Sequence, residues 1–446
     1  MAHRVAVEDR RVVVIGLGYV GIPVAAKLAD VGYDVTGLDL DRAKVDAVNA
    51  GRYPIQGNEP GLPELLARVV AAGRLRATTD PEAIAQADVV FVNVQTPFDV
   101  EAFEPRYTHL AAALGDVGKR LRKGMLVIVE STIAPTTMDR LARPTLEKAS
   151  GLVAGRDFDL VHCPERVMPG KLLKNLTTLA RVVGGVTPAA AERASRIYRR
   201  IVSADLDTTD MLTAELVKTA ENTYRDVQIA FANELARIAE TLGADAWRVR
   251  ELVNKVPERH VHLPGLGVGG HCIPKDPWLL AHGTKGRYTP ELIVRARAVN
   301  EAAPQAAAAL VERALVRAGG SVAGSRVAIL GASYLPDSDD TRHAPTLPLA
   351  RALAAKGATV AIHDPFAKRL EEFPVEADLE TVVKDADVIV LATAHAAYRA
   401  LDWGRLAKLA RTRVLVDGRN TVSAEAARKA GFAVSAVGRG LEGGSA

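Results

Sequence analysis

Cysteine, aromatic residues and long apolar runs are all scarce in this chain of 446 residues. It has two Cys, and aromatic residues make up 4%. Two cysteines cannot build a disulfide framework, which excludes the small secreted scaffolds and makes a reducing cytoplasm the expected compartment. So few aromatics, beside abundant alanine and valine, argue against an aromatic-rich sandwich and for α/β layers. No stretch approaches the ~18 uninterrupted apolar residues of a membrane span. The N-terminal run in "RRVVVIGLGYVG" is broken by glycines and followed by no small-residue cleavage site, so it reads as a buried parallel strand rather than a signal peptide. Charge of one sign is lacking as well: 57 Lys and Arg stand against 53 Asp and Glu, a net +4. Without a dense basic block nucleic acid is not an expected partner, while the small positive excess suits small anionic ligands.

What is present is a rhythm. Short β-branched runs alternate with helical patterns from residue 11 to about 205: "RVVVIG", "DVTGLDL", "ADVVFVNV", "MLVIVEST", "DFDLVHCP" and "ARVVGG". Near-continuous apolar strands separated by helices predict a parallel sheet covered on both faces. Residues 206 to about 305 change character. "DMLTAELVKTAENTYRDVQIAFANELARIAETLG" has no proline, and Leu216, Ala220, Val227, Phe231, Leu235, Ile238 and Leu242 recur at spacings of three, four and seven. That predicts one long amphipathic helix capped by Gly243. Its apolar stripe is too long to cover with its own loops, so a homodimer is expected. From about 322 the strand rhythm returns in "RVAILGASY", "TVAIHDP", "ADVIVLATAH" and "RVLVDGRN". The expected architecture is two Rossmann-like, doubly wound parallel-sheet domains, residues 1–205 and 306–446, joined by a central helical region, 206–305, with one long helix. The tail "VGRGLEGGSA" is expected to fray.

"VVVIGLGYVG" places Gly16, Gly18 and Gly21 after a strand and before a helix. Glycines so spaced allow a tight turn, close approach to a pyrophosphate and close helix–strand packing. A second strand ends at Asp39, 23 residues after Gly16, the usual place for a carboxylate that binds ribose hydroxyls. An acid there favours NAD over NADP, though Lys44 and Arg42 nearby soften the preference. Tyr19 and Val20 between the glycines, Lys44, and Thr96 and Thr132 at later strand ends complete the expected cofactor contacts. The second α/β part keeps only Gly331 of such a motif.

One cysteine sits in "PGLGVGGHCIPKDPWLL", residues 264–280. Glycines and prolines make this a poor helix or strand interior, so Cys272 is either a small filler under a loop or a thiol that a ligand can approach. Lys218 and Asn222 stand four apart on the long helix, where they could hold an oxyanion or simply face solvent. Asp276 could activate water near the sulfur or merely form a turn. Glu165 and Arg166 follow another strand, in "CPERVMPGK". Cys163 in the same motif reads as packing. No metal is expected.

Taken together, "GLGYVG", "VQTP", "EST", "CPERVMPGK", "ELVKTAENTYRDVQIAFANEL", "GVGGHCIPKDPW" and "DDTRHAP" resemble the nucleotide-sugar 6-dehydrogenases, the UDP-glucose/GDP-mannose dehydrogenase family, over about residues 10 to 435. "CPERVMPGK" and "GVGGHC" are most similar to the branch that oxidises UDP-N-acetylmannosamine. The resemblance implies NAD as cofactor, a UDP-sugar as substrate and a four-electron oxidation. It makes Cys272 the nucleophile, Lys218 and Asn222 the oxyanion donors, and Asp276 a partner of water in proton transfer. Thr132 and Glu165 would position water and substrate. Arg166, Val167, Arg225, His260, Gly269, Tyr334 and Arg342 would contact the nucleotide-sugar, and Arg259 is the candidate for an arginine crossing from a neighbouring subunit. One departure stands out: Leu335 occupies a position where the family usually has lysine. UDP-glucose or UDP-N-acetylglucosamine is the alternative substrate. A two-electron hydroxyacid dehydrogenase, or a non-catalytic NAD-binding module, is the alternative class; neither needs Cys272.

Overall fold

The computed structural model describes residues 9–55, 59–168 and 170–440; the tail expected to fray lies, from residue 441 on, outside them. The chain divides into two compact units, Met1–Glu221 with Trp278–Thr289, and Asn222–Pro277 with Pro290–Ala446.

The first unit is built on an eight-stranded sheet. Its strands are β1 (Arg11–Ile15), β2 (Asp34–Leu38), β3 (Leu75–Thr78), β4 (Val89–Val92), β5 (Leu126–Val129), β6 (Asp159–His162), β7 (Arg181–Gly185) and β8 (Leu206–Asp210). Their order across the sheet is β8-β7-β6-β5-β4-β1-β2-β3. All neighbours pair in parallel except β6 and β7. Successive side chains of a strand point to opposite faces. Thus Val12, Val14, Val89 and Phe91 enter one core, and Val13, Ile15, Val90 and Val92 the other. Both faces are covered, which is why the central strands read as unbroken apolar runs. The order reverses between β1 and β4, and such a switch point is where open α/β sheets take ligands.

The second unit repeats the plan with seven strands: β9 (Arg326–Leu330), β10 (Thr359–His363), β11 (Arg369–Leu370), β12 (Phe373–Glu376), β13 (Val388–Leu391), β14 (Val414–Asp417) and β15 (Ala433–Ala436). They lie in the order β11-β12-β10-β9-β13-β14-β15, with only β11 antiparallel to its neighbour. The doubly wound pair of sheets expected from the rhythm is therefore present. Short strands at or near the sheet edges, β3, β8, β11, β12 and β15, add to the runs the sequence marked.

The first helix, α1 (Gly21–Asp30), follows β1. The long helix α2 runs Met211–Leu242, and Gly243 follows it with φ +73°, the left-handed residue that commonly ends a helix. The division between the two units falls inside α2. Near its start Glu215, buried, accepts the backbone N–H groups of Thr136 at 2.8 Å and Met138 at 2.7 Å. The predicted stripe is on the exposed side: Leu216, Phe231, Ile238 and Leu242 are 41%, 53%, 51% and 75% exposed. The buried face is made instead of Ala214, Thr219, Thr223, Asp226, Ala230, Asn233 and Ala236. Small side chains allow close approach, and the buried polar ones are held in a network. Asp226 accepts from Arg297 and Asn300, and Asn233 donates to Asn300, both on α4 (Glu291–Arg317). No helix among the described residues is long and apolar enough to cross a membrane.

Candidate active site

In the first unit the turn from β1 to α1 is shaped by its glycines. Gly16 has φ +91°, and a Cβ there would lie 2.5 Å from the Asn93 carbonyl oxygen at the end of β4. A Cβ on Gly21 would fall 1.8 Å from the Gly16 carbonyl oxygen, so only glycine lets α1 pack against the turn. Among the described residues nothing lies within 4 Å of a Cβ placed on Gly18, which leaves room for a phosphate to reach the backbone at the start of the helix. Asp39 follows β2. Its Oδ2 accepts Leu17 N at 2.7 Å, its Oδ1 accepts Asp41 N at 2.9 Å, and Lys44 Nζ stands 3.9 Å from Oδ2. The acid is thereby oriented beside the turn. A cradle closed to side chains at two glycines and open at the third, next to a strand-end carboxylate, fits NAD.

The later strand ends hold the other first-unit candidates. Thr96 is buried and its hydroxyl donates to the Thr132 carbonyl at 2.6 Å, so it ties two strand-end loops together. Glu165 is 7% exposed; Oε1 accepts Arg166 N at 2.7 Å, and Oε2 pairs with Arg181. Arg166 is itself committed to Glu221 on α2 and to the Ala180 carbonyl. Val167 packs on the first core. Lys218 is 7% exposed, and no hydrogen bond or ion pair joins its ammonium to another described residue. A solvated lysine was the ordinary expectation at that position. With no described carboxylate paired to it, this ammonium is able to take a negative oxygen. Cys163 is fully buried, and burial pushes its thiol up to about 12, so it is packing.

In the second unit Cys272 is exposed. The glycines before it serve a purpose that was not expected. A Cβ on Gly269 would lie 2.4 Å from Tyr334 Cβ, and one on Gly270, at φ +87°, 2.8 Å from Tyr334 Cζ. Gly270 N donates to the Arg342 carbonyl at 2.8 Å. The glycines thus let the thiol loop lie flat against the loop carrying Tyr334 and Arg342. The Cys272 carbonyl accepts Asp276 N at 2.8 Å and Lys275 N at 3.1 Å, which begins α3 (Asp276–His282). Asp276 is 0% exposed; Asn222 Nδ2 donates to its Oδ2 at 2.6 Å and Lys275 Nζ to its Oδ1 at 2.7 Å. Lys275 was not among the sequence candidates, although it adjoins one. His271 is pushed down to about 4, first by burial and then by Lys275 and Arg342. Arg342 forms a two-point pair with Asp340. Leu335 is 37% exposed in the same loop. Arg225, Arg259 and His260 are exposed, with Arg225 and His260 close enough to depress His262 after the effect of its own burial.

The second sheet also repeats the acid-and-turn device. Asp364, after β10, accepts Ala332 N at 2.7 Å and Ser333 N at 3.1 Å, as Asp39 accepts Leu17 N. Gly331 has φ +110°, and a Cβ there would meet Thr393 at 2.4 Å.

A dinucleotide cradle in one unit, and in the other an exposed thiol four residues before a buried aspartate bonded to Lys275 and Asn222, suit an NAD-dependent dehydrogenase. Three consecutive segments match the UDP-glucose/GDP-mannose dehydrogenase family: residues 10–202 its NAD binding domain, 212–302 its central domain and 328–424 its UDP binding domain. The chain belongs to this family of NAD-dependent nucleotide-sugar dehydrogenases. It is 38% identical to the UDP-N-acetyl-D-mannosamine dehydrogenase of Pyrococcus horikoshii, over 96% of this chain and 99% of that one. It is 35% identical to the NDP-N-acetyl-D-galactosaminuronic acid dehydrogenase of Ralstonia nicotianae, over 95% and 99%. Among solved structures it is similar to a UDP-D-ManNAc dehydrogenase from Pyrococcus horikoshii, with TM-score 0.90, 37% identity and coverage of 96% and 99%. A UDP-glucose dehydrogenase from Pyrobaculum islandicum gives TM-score 0.85, 31% identity and coverage of 98% and 100%.

Proposed function

We propose that this enzyme oxidises the C6 hydroxyl of UDP-N-acetylmannosamine to a carboxylate in two successive oxidations without releasing the aldehyde. The observation that carries the chemistry is the exposed Cys272 thiol on a glycine-fitted loop whose next turn is fixed by fully buried Asp276. The choice of sugar is supported by relatives of that name that align with almost the whole chain.

The Gly16–Gly18–Gly21 turn and Asp39 would hold NAD, which would supply the hydride acceptor for each oxidation. The first oxidation turns the alcohol into an aldehyde. The Cys272 thiolate adds to it, an S–C bond forms, and the carbonyl oxygen becomes an oxyanion to which Lys218 and Asn222 are the proposed donors. Loss of the second hydride leaves a thioester. Water then adds, its proton passes to Glu165, the C–S bond breaks and the thiolate is restored. The balance is CH2OH + 2 NAD⁺ + H2O → COO⁻ + 2 NADH + 3 H⁺. Asp276, bonded to Asn222 and Lys275, positions those two groups and works with water in proton transfer. Thr132 positions water; Val167, Arg225, His260, Tyr334 and Arg342 are the proposed contacts of the nucleotide-sugar, with Arg259 reaching from a second subunit. In this reading residues 1–205, 206–305 and 306–446 divide the labour among cofactor, catalysis with dimerisation, and UDP-sugar. The enzyme is a cytoplasmic homodimer through the exposed stripe of α2.

The test is a panel of UDP- and GDP-sugars incubated with enzyme and NAD, following reduced-cofactor absorbance and uronate together. Two NADH per uronate and the highest kcat/KM on UDP-N-acetylmannosamine are expected, and Cys272→Ala should bind both ligands yet make no uronate. A ratio of one, or uronate from the alanine variant, would overturn the chemistry. A higher kcat/KM on UDP-glucose or UDP-N-acetylglucosamine would overturn the sugar alone.

A further inference from the structure

Behind Glu165 the first unit buries a second carboxyl that the mechanism does not use. Glu130 follows β5 directly before Ser131 and Thr132, and is 2% exposed. Its Oε1 accepts the Tyr198 hydroxyl at 2.7 Å, and its Oε2 accepts Asn93 Nδ2 at 2.8 Å. Asn93 is the residue whose carbonyl closes on Gly16 in the cofactor turn. Between the two carboxyls lies Arg181, the first residue of β7, also 2% exposed. Its Nη2 pairs with Glu165, its guanidinium sits 4.8 Å over the Tyr198 ring, and its Nη1 stands 3.5 Å from Glu130 Oε1. Neither Nη1 nor Nε has a hydrogen-bond partner among the described residues. One buried cation therefore serves two buried carboxyls unequally, and its unpartnered Nη1 is already aimed at the carboxyl it serves less.

We infer that Arg181 is a positioning residue that clamps Glu165, and that Glu130 is a switch which draws the guanidinium away when it ionises and so releases Glu165 toward water. This rests on the reading of Glu165 given above. The groups that face Glu130 are Arg181 from β7, Glu165 and Cys163 from the segment after β6, Tyr198 from the helix Pro188–Tyr198, and Asn93 from the end of β4. Burial is the largest influence on Glu130 and raises it to about 7; Arg181 opposes the rise and Glu165 adds to it. Below that pH a neutral Glu130 leaves Arg181 wholly to Glu165. Above it two carboxylates compete for one guanidinium, and the clamp on Glu165 weakens.

Thioester hydrolysis, read as uronate released after the two-hydride burst, should therefore quicken from pH 6 to pH 8.5 in the wild type. Glu130→Gln cannot ionise, and its amide can be met by the Asn93 Oδ1, which has no partner among the described residues. It should match the wild type at pH 6 and fall about tenfold behind at pH 8.5, less than the ~10²–10⁴ that a positioned general base contributes in full, because the clamp on Glu165 is weakened rather than removed. Tyr198→Phe removes a donor that favours the ionised carboxylate and should move the wild-type rise to higher pH. Parallel profiles for Glu130→Gln and the wild type, or an unmoved rise in Tyr198→Phe, would overturn the inference. Glu165→Gln separates the two readings. If it still releases uronate at the wild-type rate, the role of Glu165 itself is wrong. If it blocks release while Glu130→Gln leaves the pH profile unchanged, only the switch is.

Discussion

Asn222 Nδ2 donates to Asp276 Oδ2 at 2.6 Å, and this bond holds the carboxylate that begins the turn after the candidate nucleophile. The other oxygen takes Lys275 Nζ at 2.7 Å, and both members of that ion pair are at least nine-tenths buried. Among charges so removed from water, losing one partner costs far more than the pair contributed, because the other is left uncompensated.

Asp276→Ala should accordingly destabilise the protein by about 3–5 kcal/mol and abolish uronate formation. The check is a urea titration of both proteins with parallel activity assays. An alanine variant with the wild-type urea midpoint would show that Lys275 finds another anion or reaches water.

Cofactor choice should follow Asp39. Removing its carboxylate deletes the acceptor of Leu17 N and the expected ribose contact, so Asp39→Ala should raise KM for NAD about tenfold, the worth of one charge-assisted hydrogen bond. Activity with NADP relative to NAD should rise, with Lys44 within reach of the position. Unchanged preference would reduce Asp39 to a turn residue.

The glycine turn, Asp39 and Cys272 were legible in the sequence because each is declared within a few residues or at a fixed distance along one strand–helix unit. The clusters around them were not. Asn222 and Asp276 are 54 residues apart, and Arg181 is 51 beyond Glu130, so only the folded chain reveals that they meet. Lys275 could have been found from its place beside Asp276, and Glu130 from standing as an acid at the end of the apolar run "MLVIVE". The edge strands were missed because, half exposed, they carry polar residues, as "LDTTD" of β8 does. On α2 the periodicity identified the helix and a stripe too long for its own loops to cover, and the stripe of Leu, Phe and Ile is outside. The inner face was not legible, because alanines with bonded polar residues carry no apolar period.

That exposed stripe predicts an assembly. Phe231 and Ile238 are seven residues apart on one line of α2, each about half exposed, and a continuous apolar face of this kind is the usual mark of a surface another chain covers. Phe231→Glu with Ile238→Glu should shift the sedimentation coefficient from dimer to monomer while leaving the circular dichroism spectrum unchanged. A wild-type enzyme that sediments as an active monomer at assay concentration would remove the need for the partner.

Acid should weaken the first unit through His162. This residue on β6 is 0% exposed; its Nδ1, assigned as the protonated nitrogen, donates to the Val129 carbonyl at 2.9 Å, and Nε2 is buried without a partner among the described residues. Burial pushes the ring down to about 4, with the Val129 bond opposing. Its unfolded value is about 6.5, so as pH falls below that the unfolded chain takes up a proton that the folded one refuses. Above pH 6.5 the ring has no effect on stability. Between 6.5 and 4 stability is progressively lost, by about 3 kcal/mol in all. His162→Asn keeps an N–H for Val129 and cannot titrate, so its urea midpoint should fall less than that of the wild type between pH 7 and 4.5. Equal losses in the two proteins would mean that the ring is reached by water and charges freely in the folded state.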